Sequence, residues 1–181
     1  MRLAANLRDM GLDFSMKIIG SGEMRDDLAG MIESLSLSGN VELSGALPVD
    51  EIRAEMENAQ IFLFTSDRGE GWGVVLNESM NSGCAAVACE KTGVAPYLID
   101  DGRNGLMFRD RDIDDLTLKV SGLLREPERM NHLGRNAYET VAGEWSPRNA
   151  AKRFATLYEA LRDSDAVSLW EDGPCSVAPV M

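Results

Sequence analysis

Apolar positions along this chain fall into two kinds of block. Short apolar runs occur at 15–19, 41–43, 61–64, 85–89 and 105–108. Between them, apolar residues recur every three or four positions, the spacing of a helix with one buried face. Helices are predicted at 1–10, 23–35, 48–58 and 74–82, with a turn and short helix at 93–99. In the second of these, Met24, Leu28, Met31, Ile32 and Leu35 share one stripe. The run Ile61–Phe64 is continuous rather than alternating, as expected of a strand covered on both faces. From Asp112 onward only helical spacing is present, at 112–124, 127–141 and 146–162. Gly11 fits a helix stop, Pro48 a first helical turn, and Ser146-Pro147 a cap followed by a first-turn proline. After Asp163 the text loses its periodicity, so 164–181 is expected to be a disordered tail. Strands alternating with helices predict an α/β domain, a doubly wound parallel sheet with right-handed crossovers, over 1–163. Such sheets bind ligands beyond the carboxyl ends of their strands.

Composition narrows the choice of ligand. The net charge of −12 excludes broad nucleic-acid binding and argues against docking on anionic lipid. The three cysteines, Cys84, Cys89 and Cys175, form no CxxC pair, so neither a disulfide framework nor a zinc knuckle is indicated and a reducing, cytoplasmic setting is expected. No apolar run reaches membrane-spanning length and no signal-peptide pattern opens the chain. Its first residues read as the later part of a helix. That predicts the carboxyl-terminal piece of a longer protein, with the first strand of the sheet missing and an edge left exposed.

The chemistry concentrates after Phe64. Ser66-Asp67-Arg68-Gly69-Glu70-Gly71-Trp72-Gly73 leaves a buried strand, passes three glycines and enters the helix that holds Glu78. Glycines let backbone come close to a ligand. The amides of Gly73, Val74 and Val75 would lie unpaired at a helix start that carries about half a positive charge, a ready phosphate site. Glu78, about one turn further on, could reach a vicinal diol such as a ribose presents. Glu70 would stand on the other side of the phosphates. Spacing alone leaves a phosphate site and a solvated loop evenly matched.

The residues then resemble a known family. Glu70 and Glu78, with seven residues between them, and Gly71-Trp72-Gly73 are similar to the motif of GT4-type retaining glycosyltransferases (glycosyl transferases group 1). Ile18-Ile19-Gly20-Ser21-Gly22-Glu23, Val41–Gly45, Asn77–Cys84 with Ala86-Val87-Ala88, and Asp101-Gly102-Arg103-Asn104-Gly105-Leu106 continue the resemblance in the family's order over about residues 15 to 160. It implies the Rossmann-like, carboxyl-terminal half of a two-domain GT-B enzyme, truncated at its amino end. In that reading Glu78 binds the donor ribose and Glu70 orients the donor sugar as the catalytic residue. The amides of Gly73, Val74 and Val75 hold the diphosphate, and Leu47 lies against the base. The donor is a UDP-, GDP- or ADP-sugar, no metal or other cofactor is needed, and configuration is retained. A glycan or lipid-linked acceptor would come through a missing amino-terminal domain. The full-length enzyme would then be cytoplasmic, at the inner face of the membrane. Asn77–Cys84 with Ala95–Ile99 is most similar to bacterial enzymes that build surface polysaccharides.

One departure is plain. The family's diphosphate-neutralising Arg and Lys precede the first helix, and the sequence assigns none of the 18 basic residues here to those roles. The isolated chain is therefore expected to be a poor enzyme. A nucleotide-binding module without transfer, or a generic interaction domain, remain the other readings. In full-length relatives the last helix often packs back on the partner domain; that and covering its own sheet are evenly matched expectations here. Asp110-Arg111-Asp112 has the form of a metal-binding DxD, but its place before a helix predicts capping. His132, the single histidine, has no partners for a metal site or a triad. Gly20-Ser21-Gly22 lacks the third glycine of a dinucleotide fingerprint. Trp72 either stacks on a ligand or seals the domain, and Trp145 and Trp170 read as packing and tail residues.

Overall fold

A computed structural model describes residues 1–163 and 169–177. Of the expected tail, 164–168 and 178–181 lie outside the described residues. The elements are α1 (Arg2–Asp9), β1 (Met16–Ile19), α2 (Arg25–Ser34), β2 (Val41–Gly45), α3 (Val49–Asn58), β3 (Ile61–Phe64) and α4 (Val74–Asn81). They are followed by β4 (Ala85–Cys89), α5 (Ala95–Leu98), β5 (Leu106–Phe108), α6 (Ile113–Arg125), α7 (Pro127–Glu139), a π-helical turn (Thr140–Glu144) and α8 (Pro147–Arg162). Strands and helices alternate and every strand pairing is parallel, as the sequence pattern predicts.

The strands form two hydrogen-bonded groups, β1-β2 and β3-β4-β5. β1 and β3 nevertheless share a core: Met16 of β1 and Ile61 and Leu63 of β3 pack on the same buried cluster. Each has one paired side, and Ile61, Phe62 and Leu63 stay half-buried where every residue of β4 is buried. The expected open edge thus falls inside the domain, between two strand groups, rather than at its rim.

β4 is the axis of the packing. Ala85, Val87 and Cys89 face a layer built from α1 and α6, with Leu3, Leu7, Leu116, Val120 and Leu123. Ala86 and Ala88 face the other way, onto Leu76 and Met80 of α4, Leu98 of α5 and Ala137 of α7. Alternate side chains of a strand point to opposite faces, so a strand with helices on both sides must be apolar throughout. The small residues of this strand let helices approach closely. Cys84, buried beside it, donates its thiol to the Met56 carbonyl at 3.1 Å, and burial pushes its pKa up to about 11. It is a core residue, as its neighbours predict.

The helix ends follow local chemistry. Asp112 Oδ1 accepts the Asp115 amide at 2.9 Å and Ser146 Oγ accepts the Asn149 amide at 3.3 Å. The aspartates of the DxD are therefore a cap and its neighbour, and no acidic or thiol cluster suited to a metal occurs among the described residues. α7 ends two residues earlier than its apolar spacing predicts, because Thr140–Glu144 widens into a π-turn. α8 bears on the two readings of the last helix. It does not cover its own sheet: none of its residues is buried, and Phe154 is 65% exposed, with Tyr158 and Leu161 similarly open. No helix among the described residues is long and apolar enough to cross a membrane.

Amide hydrogen exchange tests the divided sheet. Slow exchange is expected throughout β4. In β1 and β3, only amides turned toward their single partner strand should be slow. Uniform protection along both would mean that the two groups pair.

Candidate functional site

The site is the corner where β3 ends and α4 begins. The chain first closes a tight turn: the Gly69 amide donates to Asp67 Oδ1 at 2.8 Å and the Glu70 amide to the Asp67 carbonyl at 3.1 Å. It then reverses into α4 at Gly73, which holds φ +83°. A side chain there would be strained by the left-handed backbone and would meet Phe64, with Cε1 only 2.7 Å from an added methyl. Gly73 is buried while Val74 is exposed, and the Leu76 amide donates to the Gly73 carbonyl at 2.9 Å. The first amides of α4 thus have no carbonyl inside the helix and stand at its positive end.

The glycine loop is fixed from below. Thr92, fully buried, donates its hydroxyl to the Ser66 carbonyl at 2.9 Å. The Gly93 amide donates to the Glu70 carbonyl at 3.4 Å, and Gly93 lies so near that an added methyl would overlap the Gly71 carbonyl. On the outer side, Trp72 donates its indole N–H to Asn77 Oδ1 at 3.1 Å. Its ring packs on Tyr97 (centroids 5.6 Å apart) and on Trp145 (6.1 Å). Each such pair contributes about 0.5–1.5 kcal/mol beyond its buried area.

The two acids keep open positions. Glu70 and Glu78 are both exposed, and neither carboxylate is in an ion pair among the described residues. The Glu70 side chain folds back to the helix start, its Cγ 3.2 Å from where a methyl on Gly73 would stand. Glu70, Gly71, Trp72, Gly73, Val74, Val75 and Glu78 are therefore gathered on one loop and the first turns of one helix. Leu47 is not among them; it is half-buried in the β2–α3 connection. The hollow at the carboxyl end of β1, of about 220 Å³, is lined instead by Ile18, Leu28 and Leu43, with Arg25 and the Gly20–Gly22 turn at its rim.

The supporting residues were not visible as such in the sequence. Thr92, Gly93, Tyr97 and Trp145 lie 15 or more positions from the loop they hold, in segments that read as an ordinary turn, short helix and packing residue. His132 is exposed and meets only Asn136, 3.2 Å away on its own helix.

The model of the family "Glycosyl transferases group 1" matches residues 1–140. A GDP-mannose-dependent alpha-(1-6)-phosphatidylinositol monomannoside mannosyltransferase of Mycolicibacterium smegmatis is 28% identical over 91% of this chain and 44% of its own length. An uncharacterized glycosyltransferase of Methanocaldococcus jannaschii is 30% identical over 84% of this chain and 42% of its own. Among solved structures, TarM of S. aureus superposes with a TM-score of 0.77 at 24% identity, covering 87% of this chain and 31% of TarM. Anabaena HepE in complex with UDP and glucose gives 0.72 at 17% identity, covering 88% and 44%. The chain spans less than half the length of the curated relatives it matches first.

Thr92→Val tests the support beneath the loop. It keeps the shape and removes the hydrogen bond, so stability should fall by about 1–2 kcal/mol. Amide exchange across 66–73 should rise more than across α6. An unchanged loop would show that Thr92 does not hold it.

Proposed function

The chain belongs to the glycosyl transferases group 1 family, and from that premise we propose that it is the donor-binding, carboxyl-terminal half of a retaining GT-B glycosyltransferase of the GT4 type. The observation that carries this is the corner at Gly73, where the helix-start amides stand beside two exposed carboxylates that are in no ion pair among the described residues. A pyrophosphate is the group that fits the amides. The carboxylates would face the hydroxyl groups on either side of it.

In this reading the amides of Gly73, Val74 and Val75 bind the diphosphate of a UDP-, GDP- or ADP-sugar. Glu78 accepts hydrogen bonds from the ribose hydroxyls. Glu70, folded toward the helix start, accepts from the sugar hydroxyls and fixes the ring for departure of the nucleoside diphosphate. As the bond between the anomeric carbon and the phosphate oxygen breaks, negative charge grows on the diphosphate. Preorganised amides stabilise that charge more than they stabilise the bound donor, and this difference lowers the barrier. The nucleobase falls toward the β1–β2 side, where Leu47 lies.

The acceptor, a glycan or lipid-linked sugar, would be held by a second domain, as the length of the relatives suggests. The mannosyltransferase relative acts on a phosphatidylinositol monomannoside by its name, which supports a lipid-linked acceptor and a role in building cell-surface glycans; on this reading the full-length enzyme works at the inner face of the membrane. No metal is assigned to the site.

Titration calorimetry with UDP, GDP and ADP is the test. One of them should bind. Glu78→Ala should weaken that binding by about 1.5–3 kcal/mol, roughly ten- to a hundredfold, the range for a hydrogen bond to a charged acceptor. Glu70→Ala should weaken the free nucleotide less, because its partner is the sugar. No binding by folded protein would remove the proposal, and an equal or reversed order of the two variants would remove the ribose assignment.

A further inference from the structure

The segment beyond α8 is tied down at one point. Arg153, on α8, has a side chain only 13% exposed. One guanidinium nitrogen, Nη1, donates to the backbone carbonyls of Asp172 and Pro174, the latter at 3.2 Å. The other, Nη2, pairs with Glu144 Oε1 at 3.0 Å. The guanidinium also lies over the Trp170 ring, 5.2 Å from its centroid. A bridge between Trp170 and Ser176 closes the segment into a loop around this cation. Gly173 is buried at the turn with φ +80°, and an added methyl would stand 2.5 Å from Arg153 Nη1 and 2.7 Å from Glu144 Cγ.

This fastening adjoins the donor corner. Glu144, the acid that Arg153 holds, directly precedes Trp145, and the Glu144 carbonyl accepts from Asn149 Nδ2 at 2.6 Å. Trp145 packs on Trp72. The segment, through Glu171, Asp172 and Ser176, lines one cleft of about 130 Å³ together with Tyr97 and Trp145. One chain of contacts therefore runs from the carbonyls of Asp172 and Pro174 through Arg153 and Glu144 to Trp145, Trp72 and Asn77. The π-turn Thr140–Glu144 sits in the middle of it, a widened helical turn of the kind found often at functional sites.

We propose that the segment 169–177 is a strap that positions the glycine loop entering α4, fastened by Arg153 and acting through Trp145 and Tyr97 on Trp72. Arg153 is a positioning residue that touches no donor atom. A fixed cation satisfies two carbonyls and one carboxylate at once, so the strap and the π-turn move together or not at all. Trp72, 39% exposed and donating to Asn77 at the start of α4, then has one ring orientation when the strap is seated. The effect on donor affinity rests on the donor-site reading above; the effect on Trp72 does not.

Fluorine NMR of the full chain carrying 5-fluorotryptophan resolves this. The three tryptophans give three resonances, assigned by single Trp→Phe variants. Arg153→Met removes the fastening, and Gly173→Ala unseats the turn while leaving the cation in place. Both should shift the Trp72 and Trp145 resonances together with that of Trp170. Arg153→Lys, which keeps the charge but not the fork, should shift them less. The affinity for whichever of UDP, GDP or ADP binds wild type should fall roughly three- to tenfold, about the worth of one hydrogen bond. If Trp170 moves while Trp72 and Trp145 stay, the strap positions nothing and the proposal fails. If wild type binds none of the three nucleotides, the donor reading fails and the fluorine shifts still decide the strap. Should Arg153→Met unfold, seen as three merged resonances, Gly173→Ala decides alone.

Discussion

The architecture turns on a single backbone reversal. At Gly73 the chain leaves the sheet in a left-handed conformation, with Phe64 packed where a side chain would be. That reversal aims the start of α4 outward at the end of β3. Everything nearby serves to keep it there: buried Leu76 and Met80 anchor the helix, Thr92 and Gly93 hold the loop from below, and three aromatic rings brace it from the side. Amides become a strong anion site only when their direction is settled before the anion arrives. The structure supplies that settlement with neutral groups.

Electrostatics give this choice a reason. The chain carries a net charge of −12, and most of its cations are paired on the surface, among them Lys17 with Glu55, Arg109 with Asp112 and Arg103 with Asp100. Surface pairs of this type contribute little to stability. The loop at the corner keeps one cation outside these pairs, Arg68, two positions from Glu70. An anion placed at the start of α4 would meet fixed backbone dipoles together with whatever charge Arg68 brings to the loop.

Much of this was readable in the sequence, and the parts that were not share a cause. Periodicity located the strands and helices because burial against a two-sided sheet imposes it; Ala85–Cys89 had to be apolar throughout. The loop, too, was readable, since three glycines between a buried strand and a helix leave few conformations. What the pattern could not show were contacts between distant segments. Nothing in Lys91-Thr92-Gly93 signals that its threonine closes under Ser66, and nothing in Trp145 signals the stack on Trp72. Asp172 and Pro174 are held by their carbonyls, which every residue has, so the aperiodic stretch after α8 gave no sign of the grip that Arg153 exerts on it. An open edge was expected from the missing first strand; its place between β1 and β3 escaped the pattern, because strand order is not written in local composition.

That division leaves the two inner strands unequally defended. β1 carries Lys17, whose long charged side chain reaches Glu55 and lies near Glu42 of the neighbouring strand, and a cation on an edge discourages foreign strands from docking. β3 reads Ile-Phe-Leu-Phe, with no charge and no proline to blunt it. Short segments of that kind are the ones that zip together between molecules when left uncovered. The same four residues that lead into the corner at Gly73 are thus the stretch of backbone best suited to pairing with a second copy of itself, and how far two molecules attract one another hangs on how well that one strand is kept from meeting its twin.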